Sequence, residues 1–144
     1  MTLPVTAGAT VDVAVGPDAA FTAFSADIGR WYRVETGTVA DPARTRDIRM
    51  EPGVGGRLLD VRDTDAVEMG RIIAWEPGAR LAFTDADGSD VEITFTARRG
   101  GTRVVLEHRG LERIAPARRR QVSQFGWRLV ISWYAQHLKR SDAS

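Results

Sequence analysis

The side chains that could carry acid–base chemistry in this 144-residue chain are its two histidines and a few carboxylates on predicted strands. His108 shares a strand face with Val104 and Leu106 and is therefore expected to point into the interior. There it could act as a general acid or base, or contact a ligand, because imidazole titrates near neutral pH. A structural hydrogen bond that closes the strand end is the alternative role for His108.

Asp60 is the strongest carboxylate candidate, ahead of Glu68 and Glu107. If Leu58 faces the interior, Asp60 does too, because side chains alternate along a strand. A carboxylate buried in this way could donate or accept a proton, so Asp60 and His108 are the candidate catalytic residues. The alternative is a solvated charge at a strand edge, or an ion pair with an arginine on a neighbouring strand. The arginines considered are Arg49, Arg57 and Arg71.

No metal site or cofactor is expected. His108 precedes the long predicted C-terminal helix and His137 lies at its end, so about 30 Å of helix separates them. The chain has no cysteine to complete a zinc site. A cation in the last turn of the helix is the expected role of His137.

Composition narrows the classes of partner. Twenty basic and nineteen acidic side chains nearly cancel, which argues against a nucleic-acid partner. No apolar run approaches the roughly 18 residues that a membrane span requires. The N-terminus lacks the basic and apolar segments of a signal peptide, so a cytoplasmic location is expected.

The predicted elements form one domain over residues 1–144, with a core at about residues 10–140. They comprise a strand, two short helices, a loop, a run of about six strands and a terminal helix that begins at Pro116. The first strand covers residues 10–15, and the two short helices cover 17–24 and 27–32. The loop covers residues 33–43 and the run of strands 46–109. The predicted fold class is α+β.

The terminal helix is apolar over roughly two thirds of its circumference, which is wider than the stripe of an ordinary surface helix. A helix of this kind has to be wrapped by a curved sheet, and that arrangement favours a cavity between the two. Gly126 is expected where the helix comes closest to the sheet. A narrow polar strip through Arg128, Ser132 and Lys139 is expected to face water.

Four ordered motifs resemble the helix-grip proteins, also called START-like or SRPBCC, and within them the branch named for activators of the heat-shock chaperone ATPase. The motifs lie at residues 24–32, 51–57, 70–81 and 101–111, the last joined to Gly126-Trp127. The resemblance implies a curved antiparallel sheet of six or seven strands around the C-terminal helix, with two short helices after the first strand.

The resemblance also implies a cavity for a small, largely apolar or aromatic molecule between the helix and the sheet. The predicted ligand-binding residues are Trp31, Tyr32, Val104, Leu106, Trp127 and Tyr134. A cyclase or dehydratase that acts on a polyketide-like or aromatic substrate is one rival, so whether the chain is an enzyme stays open. A cofactor of a chaperone ATPase is another rival, and a homodimer is compatible with the sequence.

Overall fold

The computed structural model of the protein describes residues 6–34, 39–119 and 126–143. Within these residues, seven strands form one antiparallel sheet. Their bounds are β1 Thr6–Val13, β2 Asp47–Met50, β3 Arg57–Val61, β4 Ala66–Glu76, β5 Arg80–Asp85, β6 Asp90–Arg98 and β7 Gly101–Arg109. The strand order is β1-β7-β6-β5-β4-β3-β2, so the first strand closes one edge of a meander.

Two short helices follow the first strand, as predicted: α1 spans Pro17–Ser25 and α2 spans Ile28–Trp31. The C-terminal helix, α3, spans Trp127–Ala143 and makes its most numerous contacts with β1. The predicted α+β class, with a curled antiparallel sheet packed on a C-terminal helix, is confirmed.

The core lies between the concave face of the sheet and the helices. Val91, Ile93 and Phe95 alternate inward along β6 and are buried, as strand periodicity requires. The register shifts between Leu58 and Leu59 and again between Ile72 and Ala74, and such irregularities bend a strand. The bent sheet can therefore curl around α3.

Gly126 does not occupy the position predicted from the sequence. It precedes α3 with a φ of 72°, in the left-handed region, and a Cβ added to it would meet nothing within 4 Å. The expected close approach to the sheet is therefore wrong. The helix predicted from Pro116 does not run unbroken through this glycine, because a left-handed residue cannot continue a right-handed helix.

The predicted apolar face of the helix is mostly confirmed. Its buried members are Val130, Ile131, Trp133, Tyr134 and Leu138. Leu129 belongs to the same apolar face by sequence periodicity but is 46% exposed. Val122 and Phe125 share that periodicity and lie outside the described residues.

Candidate functional site

An open groove of about 860 Å³ runs between α3 and the sheet edge formed by β1 and β7. We call it the α3 groove. Its lining residues are Gly8, Ala9, Thr10, Val11, Val105, Leu106, Glu107, Arg128, Ile131, Ser132, Ala135, Gln136 and Lys139. The volume lies within the range of about 300–1,000 Å³ that is typical of small-molecule sites.

The helical wall of the α3 groove follows directly from helix geometry. Its members recur at three- and four-residue intervals from Arg128 to Lys139, so they share one face of α3. On the opposite wall, β1 carries only small side chains at Ala7, Gly8 and Ala9. Small residues opposite Ala135 leave the space between helix and strand unfilled.

Of the six predicted ligand-binding residues, Leu106 lines the α3 groove. Val104 and Tyr134 are fully buried in the core. The Tyr134 hydroxyl donates to the Ala20 carbonyl oxygen at 2.7 Å, and burial raises the pKa of this tyrosine. The hydroxyl hydrogen of Tyr134 is therefore already bonded within the protein and is not available to a ligand.

The predicted aromatic pair packs beside Tyr134. The Trp31 ring centroid lies 5.4 Å from that of Tyr134, and the Trp31 indole N–H donates to the Ala23 carbonyl oxygen at 2.9 Å. Tyr32 is half-buried, with its ring centroid 6.3 Å from that of Trp133. These contacts tie α2 to α3.

His108 is fully buried and hydrogen-bonded at both ring nitrogens. The Trp127 indole nitrogen lies 3.1 Å from its Nδ1, and the Ser89 Oγ lies 2.7 Å from its Nε2. Because an indole N–H can only donate, Nδ1 accepts and the proton of the neutral ring is on Nε2. Nε2 then donates to Ser89, whose hydroxyl donates to Asp87 Oδ1.

This order of bonds differs from that of a nucleophilic triad, in which serine donates to histidine. Here Ser89 accepts from His108, and neither residue has exposed surface. Protonation of His108 would place a second N–H against the Trp127 indole, and burial also lowers the pKa of His108. The arrangement therefore favours a structural role that joins the end of β7 to the start of α3.

Asp85 lies beside this cluster as a half-buried carboxylate. Burial, reinforced by Asp87, raises the pKa of Asp85 to about 6, although Arg118 at 3.7 Å opposes the shift. Arg118 also approaches Asp87, at 3.3 Å. The β5–β6 turn is thus linked to the helical residues 116–119 through one guanidinium.

The Asp85→Asn substitution should stabilise the protein above pH 6 more than below pH 4. The folded state holds the Asp85 proton to a higher pH than the unfolded chain, so ionisation costs stability as pH rises between about 4 and 6. Asparagine removes that cost and keeps the oxygen that accepts from the Ala86 N–H. The substitution should raise the free energy of unfolding by about 2 kcal/mol more at pH 7 than at pH 4, after a discount for the partial exposure of Asp85.

Urea denaturation of both proteins at pH 4 and pH 7 measures this difference. Asp65→Asn provides the control, because that side chain is half exposed and 3.9 Å from its arginine partner. The control should change the free energy of unfolding by less than about 0.5 kcal/mol at both pH values. An Asp85→Asn effect that is equal at pH 4 and pH 7 would contradict the assignment.

Asp60 is buried, as the catalytic hypothesis required, but none of the three candidate arginines pairs with it. Its carboxylate accepts from Thr45 Oγ1 at 2.6 Å and lies 3.3 Å from Arg62 Nη2. Arg62 lies two residues after Asp60 in the chain, whereas the sequence prediction placed the partner arginine on a neighbouring strand. The Arg62 Nε is itself buried and has no hydrogen-bond partner in the described structure.

The other candidate ionisable residues take part in pairs. The three arginines considered for Asp60 pair with Asp47, Glu51 and Glu68, and Glu107 pairs with Arg109 at 2.8 Å. His137 lies 3.7 Å from Asp27, and because α3 continues to Ala143, its expected place in the last helical turn is wrong.

No group of three or more histidine, cysteine or acidic residues within the described ranges is arranged to hold a metal ion. None of the helices over the described ranges combines the length and apolar character that a membrane crossing needs.

Sequence reasoning missed the polar residues on the helical wall of the α3 groove because it assigned the polar strip of the helix to water. Arg128, Ser132 and Lys139 form that strip, and all three line the groove. The available signal was the set of small residues on the facing elements, Gly8 and Ala9 on β1 and Ala135 on α3. Ser89 was also missed, because only the fold brings it to His108.

The sequence matches a family model described as "Activator of Hsp90 ATPase homolog 1-like protein" over residues 14–138. No functionally curated protein is similar enough in sequence to count as a match. The family match covers most of the described structure, from Ala14, directly after β1, to Leu138 in α3.

Solved structures share the fold over nearly their whole length. An AHSA1-like protein from Aeromonas hydrophila has a TM-score of 0.70 and 20% identity, with 96% of this chain and 95% of that chain covered. Protein NE0264 from Nitrosomonas europaea has a TM-score of 0.69 and 14% identity, with 98% of each chain covered. The Aha1 dimer from Colwellia psychrerythraea has a TM-score of 0.64 and 12% identity, with 94% and 96% covered. At these identities the likeness shows the fold alone.

Proposed function

Because this chain belongs to the activator of Hsp90 ATPase homolog 1-like family, within the START-like superfamily, we propose that it binds a small, largely apolar molecule. The ligand lies between the C-terminal helix and the sheet, in the α3 groove. The observation that carries the proposal is an unfilled groove with an apolar floor beside an otherwise packed core.

The floor of the α3 groove supplies the apolar contacts. Leu106 and Ile131 lie at its base with almost no exposed surface, and Ala9, Val11 and Ala135 are half-buried around them. A ligand that covers the exposed parts of Ala9, Val11 and Ala135 removes apolar area from water. That burial stabilises the complex by roughly 25 cal/mol per Å² before the costs of association.

The rim supplies the polar groups that orient a ligand. The hydroxyl of Ser132 already donates to the Leu129 carbonyl oxygen, so it offers a ligand only its lone pairs. The Gln136 amide is exposed and can both donate and accept. An apolar floor with a few polar groups at its edge is the usual composition of a small-molecule site.

The packing of the interior supports placing the ligand in the α3 groove and not behind it. Tyr134 of α3 makes edge-to-face pairs with Phe24 of α1 and Trp31 of α2, which pack against each other at a tilt. The ring centroids of these three pairs are 5.2–5.4 Å apart. Inserting a molecule among them would separate aromatic contacts worth about 0.5–1.5 kcal/mol each.

Binding of the neutral apolar dye Nile red tests the proposal. We expect saturable binding with one dye per chain and a blue-shifted emission, because the dye enters an apolar environment. Native mass spectrometry of freshly purified protein should also detect a small molecule that co-purifies. Dye fluorescence that rises without saturation, together with no bound molecule, would contradict the proposal.

A further inference from the structure

The α3 groove has an uneven distribution of charge that points to the class of its ligand. Among its lining residues, Glu107 is the only carboxylate, and it pairs at 2.8 Å with Arg109, which also lies 3.3 Å from Glu92. Lys139 and Arg128 are exposed at the rim, and neither has an ion-pair partner within the described part of the chain. The uncompensated charge of the groove is therefore positive.

The two cations lie at opposite ends of the helical wall. Eleven residues of α3 separate Arg128 from Lys139, which corresponds to about 16 Å along the helix axis. Arg128 follows Trp127, which contacts His108, so this end of the groove lies near Glu107. Lys139 lies three turns away, at the end where no lining residue is a carboxylate.

We propose that the ligand of the α3 groove is an amphipathic monocarboxylate whose anionic group binds the Lys139 ammonium. Its apolar tail extends over Leu106, Ile131 and Ala135 toward Arg128. One ammonium that stands alone matches a single negative charge, whereas a multiply charged phosphate group usually recruits several cations or a bidentate arginine. This inference rests on the proposed function, because it names the chemical class of the molecule that the groove binds.

Decanoate and 1-decanol distinguish the contribution of charge from that of the tail. Both present the same alkyl chain, and at pH 7.5 only decanoate is ionised. Isothermal titration calorimetry at 50 mM NaCl should give a Kd for decanoate that is about three- to tenfold lower than that for decanol. A charge-assisted contact at a partly exposed site changes affinity by about this factor. Raising NaCl to 500 mM should weaken decanoate binding and leave decanol binding unchanged.

Lys139→Gln should remove the preference for decanoate without changing decanol binding, and Lys139→Arg should retain most of it. Arg140→Gln is the matched control, because it deletes one positive charge from an exposed neighbour that does not line the groove. The Arg140 variant should keep the parent preference.

Three results would overturn the inference. The first is equal affinity of the parent protein for decanoate and decanol, with decanol still bound, which would leave the proposed function intact. The second is an equal loss of preference in the Lys139→Gln and Arg140→Gln variants, which would show that only net charge matters. The third is no binding of either molecule, which would also overturn the proposed function.

Discussion

The His108→Ala substitution is expected to lower the free energy of unfolding by about 3 kcal/mol. The loss has two parts. The imidazole has no exposed surface, so its removal leaves a cavity beside Trp127 and Ser89. It also leaves the Trp127 indole N–H without its acceptor, whereas the Ser89 hydroxyl loses a donor but still donates to Asp87. An unsatisfied buried polar group costs about 1–3 kcal/mol.

A double-mutant cycle separates the two parts. Trp127→Phe keeps an aromatic ring beside His108 but removes the indole donor and some ring volume, so it should cost about 1 kcal/mol or somewhat more. If the hydrogen bond links the two residues, the combined variant should lose less than the sum of the single losses, by at least about 0.5 kcal/mol. A His108→Ala variant that loses under 1 kcal/mol in urea denaturation at pH 7.5 would show that the cluster does not anchor the start of α3.

The Ala135→Trp substitution should weaken the binding of Nile red by more than about tenfold, while the protein stays folded. Ala135 is half-buried in the middle of the helical wall, so an indole there would occupy the space of the ligand and not displace core atoms. Because the α3 groove is open, the larger side chain can be accommodated without the overpacking that destabilises closed cores.

Leu129→Trp is the matched control for this prediction. Leu129 lies on the same helix, is 46% exposed and does not line the groove. The control should bind Nile red with the affinity of the parent protein. Both variants should retain the cooperative thermal unfolding of the parent protein. Undiminished dye binding by a folded Ala135→Trp variant would place the dye outside the α3 groove.

Much of the fold could be predicted because its signals are local. Alternating residues such as Val91, Ile93 and Phe95 mark a strand wherever it lies in the sheet. Glycine and proline turns mark the ends of the strands, and Pro17 marks the first turn of α1. The predicted bounds of the strands and short helices depend on such signals. These bounds agree with the structure to within a few residues.

The break at Gly126 could not be predicted in this way. The apolar periodicity continues on both sides of the glycine, and periodicity does not report the sign of φ. A glycine costs a helix interior only about 1 kcal/mol relative to alanine, so its presence alone does not indicate a break. In the structure, α3 starts at Trp127, directly after the left-handed Gly126 and at the tertiary contact with His108.

The candidate site was predicted less completely than the fold. Leu106 was identified because strand alternation places it inward, and it does line the α3 groove. Tyr134 was also expected on an inward face, but periodicity cannot show that its hydroxyl bonds to the Ala20 carbonyl oxygen. The pairing of Asp60 with Arg62 and Thr45 likewise depends on how a loop returns to the strand end.

Chemical-shift mapping of the ¹⁵N-labelled protein during a titration with 1-decanol tests the location of the ligand most directly. The account predicts saturable shifts of the backbone amides of Ala9, Val11, Ile131 and Ala135, which lie on the two walls of the α3 groove. The amides of the buried Phe24 and Val91, which do not line the groove, should change little. Saturable shifts centred on those core residues, or the absence of saturable shifts on both walls of the groove, would contradict this location of the ligand.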